Sequence, residues 1–254
     1  MKFKKSNNWN YQSNSQSSYN GKFELEIGEE SLKNYNLSVV RKIKMEIDGA
    51  SHQDYSDKIL EFGAGIGVLA KIWRTEFKIS PTCIDIDSRF VEELKTIGFE
   101  AYRSLNEVNK MFAACYSSNV LEHIEDDVYA LKEIRKILSP GGILVIYVPA
   151  LPILFSGLDT KVGHNRRYTR KELVQKIKLA GYDVQDAYYN DCLGVLATFI
   201  TRIFGFNSQS GLGSSKSLQI YDKYLLPLSN ILDSLVMKHI IGKNLLVIAK
   251  VNNV

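Results

Sequence analysis

The stretch Lys58–Gly67, KILEFGAGIG, carries the strongest structural signal in the chain. Ile59 begins a short buried strand that ends at Glu61, and an apolar-periodic stretch follows the turn. The turn has glycine at alternate positions, Gly63, Gly65 and Gly67. Such glycines allow positive φ angles and leave no Cβ between the backbone and a ligand. A strand, a glycine turn and a helix in this order predict a nucleotide-type site at the carboxyl edge of a sheet.

The glycine spacing narrows the class of ligand. The dinucleotide fingerprint is G-x-G-x-x-G, whereas the third glycine here comes one residue early. Glu61 stands two positions before Gly63 and would repel a pyrophosphate. A ligand with an amine and a sulfonium charge suits that carboxylate better. The spacing and Glu61 therefore argue against a nicotinamide-dependent oxidoreductase, which is kept as an alternative enzyme class. A glycine-rich turn that binds no ligand is the structural alternative.

Composition indicates an ordinary globular chain. Its 254 residues are enough for one large α/β domain or two small ones. A hydrophobic content of 45% with 24% charged residues is typical of globular proteins. The net charge of +4 is too small to predict nucleic acid as a partner.

Cysteine usage and hydropathy bear on the compartment. The three cysteines are far apart, which favours a reducing compartment and neither a zinc site nor a disulfide framework. Residues 1–10 are basic without an apolar run, so no secretory signal is expected and a cytoplasmic location is predicted. The apolar stretch at 193–206 is interrupted by Arg202 and is shorter than the roughly 18 residues of a membrane span. It could still contact a membrane peripherally.

Alternating strand and helix patterns predict a mostly parallel α/β sheet. Residues 29–254 are interpreted as one domain, with 191–243 as a largely helical insertion before the last strand. Residues 1–28 are predicted to be a mobile arm, or alternatively a flap that orders over the site. After the strand that begins at Ile59, the predicted strands are Thr82–Ile86, Phe99–Tyr102, Phe112–Ser118, Ile143–Val148, Tyr182–Asn190 and Asn244–Val251.

Helix signals fill the gaps between these strands. An apolar stripe from Glu29 to Ile47 predicts one helix. Asp126 or Asp127 begins another helix, which Pro140-Gly141-Gly142 is expected to stop. Thr169, three residues before Glu172, predicts a capping box.

Asp85 ends the second predicted strand, about two dozen residues after the glycine turn. This spacing is close to that at which an acid reaches ribose hydroxyls. Since Asp87 fits the role of helix cap, Asp85 is predicted to bind a ribose, with Ile86 packing against the sugar or adenine.

Two longer runs point to a family. Asn119–Asp127, NVLEHIEDD, precedes a predicted helix, and LSPGGILVIYVPA follows it at Leu138–Ala150. With the acid and G-x-G-x-G turn, these runs resemble the class I S-adenosylmethionine-dependent methyltransferases. The resemblance implies a Rossmann-like, doubly wound fold with seven strands, the last one antiparallel, and S-adenosylmethionine as cofactor. It also implies a cofactor set of Glu61, Gly63, Ala64, Gly65, Gly67, Asp85, Ile86, Ser104, Asn119, Val120 and Leu121.

The adenine contact departs from the family pattern. Members usually carry an Asp in the loop after the third strand, but this loop reads Arg103–Glu107, RSLNE. Ser104 or Asn106 is predicted to replace it.

The loop GHNRRYT, Gly163–Thr169, resembles a bacterial branch of the superfamily, and the resemblance covers residues 29–251. That branch implies a small-molecule, lipid-linked or sugar-linked acceptor. His164 is predicted to be a base, with a structural role as the alternative. Contacts with an anionic acceptor are predicted for Tyr19, Arg166, Arg167 and Tyr168.

Basic residues cluster around that loop and continue to Lys178. The cluster is predicted to bind a phosphate or carboxylate, and a solvated helix face is the alternative. No spacing of His and Cys predicts a metal. A non-catalytic protein that binds S-adenosylmethionine is the alternative from a different functional class.

Overall fold

The computed structural model describes residues 22–51, 55–204 and 215–252. Their strands form one seven-stranded sheet in the order β3-β2-β1-β4-β5-β7-β6. The strands are β1 Ile59–Phe62, β2 Thr82–Ile84, β3 Ala101–Tyr102, β4 Phe112–Ser118, β5 Leu138–Pro149, β6 Tyr182–Asn190 and β7 Asn244–Val251. The first five are parallel, and β7 runs antiparallel between β5 and β6. The predicted Rossmann-like fold is confirmed.

The helices precede, connect and follow these strands. They are α1 Lys22–Ser31, α2 Lys33–Ala50, α3 Val68–Phe77, α4 Ser88–Thr96, α5 Asp127–Lys136, α6 Gly157–Lys161, α7 Arg170–Leu179, α8 Cys192–Phe204, α9 Ser215–Ile220 and α10 Leu226–Leu235. A π-helical turn, Tyr221–Leu225, joins α9 to α10. The helical character predicted for the insertion before β7 is therefore present in its described residues.

Alternation along β5 divides the core into two layers. Leu144 and Ile146 pack on the face that carries α5 and α7, whereas Ile143 and Val145 pack against α2 and α3. Successive strand side chains point to opposite faces, so a strand covered on both faces is apolar throughout. The sheet is therefore a central layer between helices.

The N-terminal helical stripe is two helices. The predicted single helix over 29–47 is wrong, because α1 ends at Ser31 and α2 begins at Lys33. The Asp222 carboxylate, from the insertion, accepts hydrogen bonds from the backbone N–H groups of Asn34 and Tyr35 at 2.9 and 2.8 Å. A carboxylate at this position satisfies otherwise unpaired amides of a first helical turn. The predicted arm also includes the start of α1, while residues 1–21 lie outside the described part.

The Pro140-Gly141-Gly142 segment lies inside β5 and does not stop α5, which ends earlier at Lys136. Gly141 has a φ of +72°, and the register between β4 and β5 shifts between Phe112 and Ala114. The proline and glycines therefore mark an irregular start of the strand. Asp126 is the cap of α5, since its side chain accepts from the Tyr129 amide at 2.9 Å.

Candidate active site at the carboxyl edge of the sheet

The sheet order places a crevice between β1 and β4. The chain leaves β1 towards β2 on one side and leaves β4 towards β5 on the other. Ligands of open α/β sheets bind at such a switch point, outside the carboxyl ends of the strands. The loops after β1, β2, β3, β4 and β5 therefore meet at one edge.

The glycine turn after β1 requires its glycines. Gly63, Gly65 and Gly67 have φ angles of +82°, +53° and +79°, which side chains other than glycine rarely adopt. A Cβ at Gly63 would lie 2.2 Å from Cγ2 of Val120. The amides of Gly63 and Ala64 donate to the Ile84 carbonyl at 2.8 and 3.0 Å. This turn thus lies directly against the loops that follow β2 and β4.

Asp85 is fixed to the turn by hydrogen bonds from two backbone amides. Its Oδ2 accepts from the Gly65 N–H at 2.7 Å and its Oδ1 from the Asp87 N–H at 2.9 Å. Burial raises the pKa of Asp85, and the two amides oppose that shift. Each oxygen keeps a second lone pair for a hydroxyl donor. Ile86 beside it is 62% exposed. The pair therefore suits a ribose and a flat ring, as predicted, while the contacts themselves stay predictions.

Glu61 lies beneath the turn. It is 3% exposed, and its Oε2 accepts from the Tyr116 hydroxyl at 2.9 Å. Burial raises the pKa of Glu61 to about 8, and the Tyr116 hydroxyl opposes the rise. Tyr116 in turn stacks on Trp73 of α3, with ring centroids 5.6 Å apart. Glu61 thus supports the turn from below, and its direct contact with a ligand stays a prediction.

The loops after β3 and β4 carry two of the predicted cofactor residues, Ser104 and Asn119. Ser104 accepts from the Asn106 amide at 3.2 Å and caps a short 3-10 turn. Asn119 is exposed and has a φ of +53°, and its amide donates to the Tyr147 carbonyl at 2.8 Å. Both loops reach the edge where the ligand is expected.

The neighbours of Asn119 are less accessible. Val120 is half-buried against Gly63, whereas Leu121 is 0% exposed and packs in the core below the sheet edge. The Leu121 side chain faces α5 and α7, so a border between Leu121 and the cofactor stays a prediction for its backbone alone.

Helix α1 covers part of the glycine turn. Cδ1 of Leu25 lies 3.2 Å from the position that a Cβ on Gly65 would take. Nζ of Lys71, in α3, pairs with Oε1 of Glu29 at 2.9 Å. A ligand at the turn would therefore lie beside α1, whose Leu25 belongs to the segment for which the sequence predicted a mobile arm or, alternatively, a flap over the site.

His164 lies within a compact group of ionisable side chains after β5. Its Nδ1 is 2.9 Å from Oδ1 of Asp159, and its Nε2 is 3.8 Å from Oε1 of Glu122. The His123 ring meets the His164 ring edge-on, with centroids 4.7 Å apart. Nδ1 of His123 lies 3.1 Å from the Gly163 carbonyl. The sequence did not predict that this pair of histidines meets Glu122.

The charges in this group follow from burial and partners. Burial raises the pKa of Asp159, but hydrogen bonds from His164 and Arg167 outweigh it and lower that pKa to about 2. Burial raises the pKa of Glu122 to about 8. Burial, with His164 nearby, lowers the pKa of His123 to about 4. At neutral pH Asp159 is therefore an anion, while His123 is neutral.

Two of the predicted substrate residues are structural. Arg167 is 7% exposed and its Nε donates to Oδ1 of Asp159 at 2.8 Å. Tyr168 is 0% exposed, and its hydroxyl donates to Oδ2 of Asp127 at 2.8 Å, with the Leu121 carbonyl 3.0 Å from the hydroxyl oxygen. The prediction that they contact the acceptor is wrong, because both side chains are buried and paired.

Arg166 also pairs internally. Its Nη1 donates to Oδ2 of Asp127 at 2.9 Å and its Nη2 to the Glu125 carbonyl at 3.0 Å. With its side chain 24% exposed, it remains a predicted acceptor contact only through its accessible part. Tyr19, the fourth predicted substrate residue, lies outside the described residues.

The rest of the basic cluster separates into two places. Lys176 pairs with Asp127 at 2.7 Å. Arg170, Lys171 and Lys178 line an open groove between α7 and β6. Since β6 is the edge strand and β1 is four positions away, that groove is not part of the crevice at the glycine turn.

The insertion presents an apolar surface. Its exposed apolar side chains include Leu196, Phe199 and Ile200 on α8, Ile220 on α9, and Leu228, Ile231 and Leu235 on α10. Helix α8 contacts the turn Pro152–Leu154 that follows β5. Within the described ranges, no helix combines the length and apolarity needed to cross a membrane.

Known proteins agree with this arrangement. A family model described as a methyltransferase domain matches residues 35–187. The chain belongs to this methyltransferase family. The match confirms the predicted class I superfamily, which uses S-adenosylmethionine as its cofactor. The glycine turn, on which a Cβ would collide, and the amide-held Asp85 fit that cofactor.

One curated protein is similar to part of this chain. A probable S-adenosylmethionine-dependent methyltransferase of Mycolicibacterium smegmatis is 30% identical over 69 residues, which is 26% of this chain and 27% of that protein. The chain thus spans about a quarter of the length of this curated relative.

Solved structures share the fold at low sequence identity. A putative sarcosine dimethylglycine methyltransferase from Galdieria sulphuraria has a TM-score of 0.57 and 14% identity, covering 85% of this chain and 86% of that one. Phosphoethanolamine N-methyltransferase 2 of Haemonchus contortus, solved with S-adenosylmethionine, has a TM-score of 0.56 and 17% identity, covering 95% and 59%.

Proposed function

We propose that this protein transfers the methyl group of S-adenosylmethionine to an oxygen or nitrogen of an acceptor that has an anionic and an apolar part, such as a lipid-linked sugar. The observation that carries the proposal is the Gly63–Gly67 turn with Asp85 bonded to its centre at 2.7 Å. Binding of this donor is the function for which those positive φ angles and that carboxylate are suited.

The donor supplies an electrophilic methyl group, so the protein mainly has to position the two reactants. A lone pair of the acceptor forms the new bond to carbon while the carbon–sulfur bond breaks and its electrons stay on sulfur. Such positioning can lower the activation free energy by roughly 7–11 kcal/mol. A base is needed only when the acceptor atom must lose a proton.

His164 is the proposed base. The Asp159 anion accepts a hydrogen bond from Nδ1 of His164 at 2.9 Å, which orients the ring and leaves the Nε2 lone pair to take a proton. Arg167 and the Ser156 amide hold Asp159 in turn. Replacement of His164 by Gln should lower turnover of the true acceptor with little change in donor affinity, and unchanged turnover would end this assignment.

The acceptor class is supported by exposed side chains of the insertion and of the loop after β5. The exposed apolar side chains of α8 and α10 suit a lipid tail, and the accessible part of Arg166 suits an anionic group. Flotation with anionic and neutral vesicles at low salt tests the membrane version. Phe199→Asp should reduce flotation. If the wild-type protein floats with neither anionic nor neutral vesicles, peripheral membrane contact is excluded.

Calorimetry with S-adenosylmethionine, S-adenosylhomocysteine and NAD tests the donor. We expect binding of the first two, and binding of NAD alone would overturn the proposal in favour of an oxidoreductase. Incubation of labelled donor with cell extract, followed by mass spectrometry, then separates an enzyme from a non-catalytic binding protein. Labelled product must form with the wild-type protein and disappear with a variant that cannot bind the donor.

A further inference from the structure

Glu122 is a buried carboxyl group whose function the fold does not explain. It is 0% exposed, and neither carboxylate oxygen has a hydrogen-bond partner on another described residue. A buried polar group without partners is costly, on the order of 1–3 kcal/mol or more. Native structures rarely retain such a group unless a ligand, ion or water completes it.

Two imidazoles face this carboxyl. Nε2 of His164 lies 3.8 Å from Oε1 of Glu122, beyond hydrogen-bond distance but across a gap that an ion could bridge. One ligand atom from each of Glu122, His123 and His164 lies within 4.8 Å of the others. Ligands of a single ion with bonds of about 2.1 Å are about 3.3 Å apart. The three side chains would therefore close by roughly 0.5 to 1.5 Å.

The histidines are already oriented as ligands of a metal are. Metal-bound imidazoles usually donate their other N–H to a carboxylate or a backbone carbonyl, which fixes the tautomer. His164 has Asp159 at its Nδ1, at 2.9 Å, and His123 has the Gly163 carbonyl at its Nδ1, at 3.1 Å. Since the carbonyl and the ionised carboxylate can only accept, both Nδ1 atoms carry the proton. The remaining coordinating atom of each ring is Nε2.

We propose that Glu122, His123 and His164 bind a divalent transition-metal ion beside the donor site. Two imidazoles and one carboxylate favour ions such as Zn²⁺ or Fe²⁺ over Mg²⁺ and Ca²⁺, which prefer oxygen ligands. Three protein ligands leave coordination positions for water or an oxygen of another molecule. Glu122 follows Asn119 by three residues, so the ion would lie next to the loop that borders the glycine turn.

This site assigns a different role to His164 from that in the proposed function. A base needs Nε2 to accept a proton, whereas a metal ligand uses the same lone pair for the ion. The ion would then hold the acceptor oxygen and lower its proton affinity. Metal binding itself needs neither donor nor acceptor, so it can be measured whether or not the protein is a methyltransferase.

The test is calorimetric titration of the full-length, chelator-treated protein with ZnCl₂, MnCl₂ and MgCl₂ separately. We expect one Zn²⁺ per chain, weaker binding of Mn²⁺, and Mg²⁺ binding at least tenfold weaker than that of Zn²⁺. Glu122→Gln and His164→Gln should each weaken transition-metal binding at least a hundredfold, and Asp159→Asn by about ten- to a hundredfold. His239→Gln is the matched control, because His239 is exposed on the insertion, and it should bind as the wild type does.

Cobalt substitution provides a readout that does not depend on variants. Co²⁺ held by two imidazole nitrogens and a carboxylate gives visible absorption bands that differ from those of hydrated Co²⁺ in the same buffer. Absence of binding to the wild type overturns the proposal. So do binding that survives in both Glu122→Gln and His164→Gln, and a Co²⁺ spectrum identical to that of the hydrated ion.

Discussion

Binding of S-adenosylmethionine should release a proton from Glu61. Burial raises the pKa of this carboxyl to about 8 although the Tyr116 hydroxyl donates to it, so it is mostly protonated at pH 7 in the donor-free protein. The donor brings an ammonium and a sulfonium charge to the turn above it. Nearby positive charge lowers the pKa of a carboxyl, and the donor-bound protein should therefore hold Glu61 ionised.

The size of the effect follows from that pKa. With a value of about 8, roughly 0.9 of the Glu61 carboxyls carry a proton at pH 7. Nearly all of that, about 0.9 proton per donor, is released if the bound-state pKa falls below about 6. Because binding then favours the deprotonated form, affinity rises with pH, by about tenfold from pH 6 to pH 7, and levels off above about pH 8.

Calorimetry in buffers of different ionisation enthalpy measures this release directly at pH 7, where the donor's own ammonium is still mostly protonated. Glu61→Gln should abolish both the release and the rise of affinity between pH 6 and pH 7. Glu122→Gln is a matched control, because burial raises the pKa of that carboxyl to about 8 as well, and this variant should release the same amount of proton as the wild type. Undiminished proton release in Glu61→Gln would refute the placement of the donor's charges near Glu61.

Three further substitutions test the roles of the glycine turn, of Asp85 and of the buried Tyr168. Gly63→Ala places a methyl 2.2 Å from Val120 at a φ of +82° and should weaken donor binding more than tenfold by calorimetry, whereas Gly157→Ala, with no atom within 4 Å of the new methyl, should bind normally. Asp85→Ala should also weaken binding more than tenfold, because charge-assisted hydrogen bonds to a ribose are lost; an unchanged affinity would remove Asp85 from the site. Tyr168→Phe should lower the free energy of unfolding in urea by roughly 1–3 kcal/mol with donor affinity intact, and an unchanged free energy of unfolding would refute the structural role of its hydroxyl.

Most of the fold was predictable because its signals are local. Strand alternation, continuous apolar runs and turn residues lie within a few positions of each other, and Phe112–Ser118, Tyr182–Asn190 and Asn244–Val251 are strands with the predicted bounds. The break between α1 and α2 was not predictable in this way. It depends on Asp222, which is 188 residues from the Asn34 amide that it caps.

The site was predictable where backbone conformation determines it. Alternate glycines specify the turn, and an acid after the next strand specifies the place of Asp85. The acceptor side depends on burial, which is a tertiary property. Arg167 and Tyr168 stand in a charged stretch that resembles a substrate site, yet packing places both inside the protein. The sequence around Glu122 did not predict its role, because His164, which lies close to it in the fold, comes from the loop after β5.

The buried part of the GHNRRYT loop explains how one histidine is aimed. Asp127 accepts hydrogen bonds from Arg166, Tyr168 and Lys176, which hold the end of the loop. Asp159 accepts from Arg167 on the same oxygen that orients His164. The cations and the tyrosine are thus bound to two carboxylates, and the imidazole is the ionisable side chain of this loop that is left facing Glu122. Whether Nε2 of His164 receives a proton or an ion, its position depends on these two internal pairings and not on contacts with the acceptor.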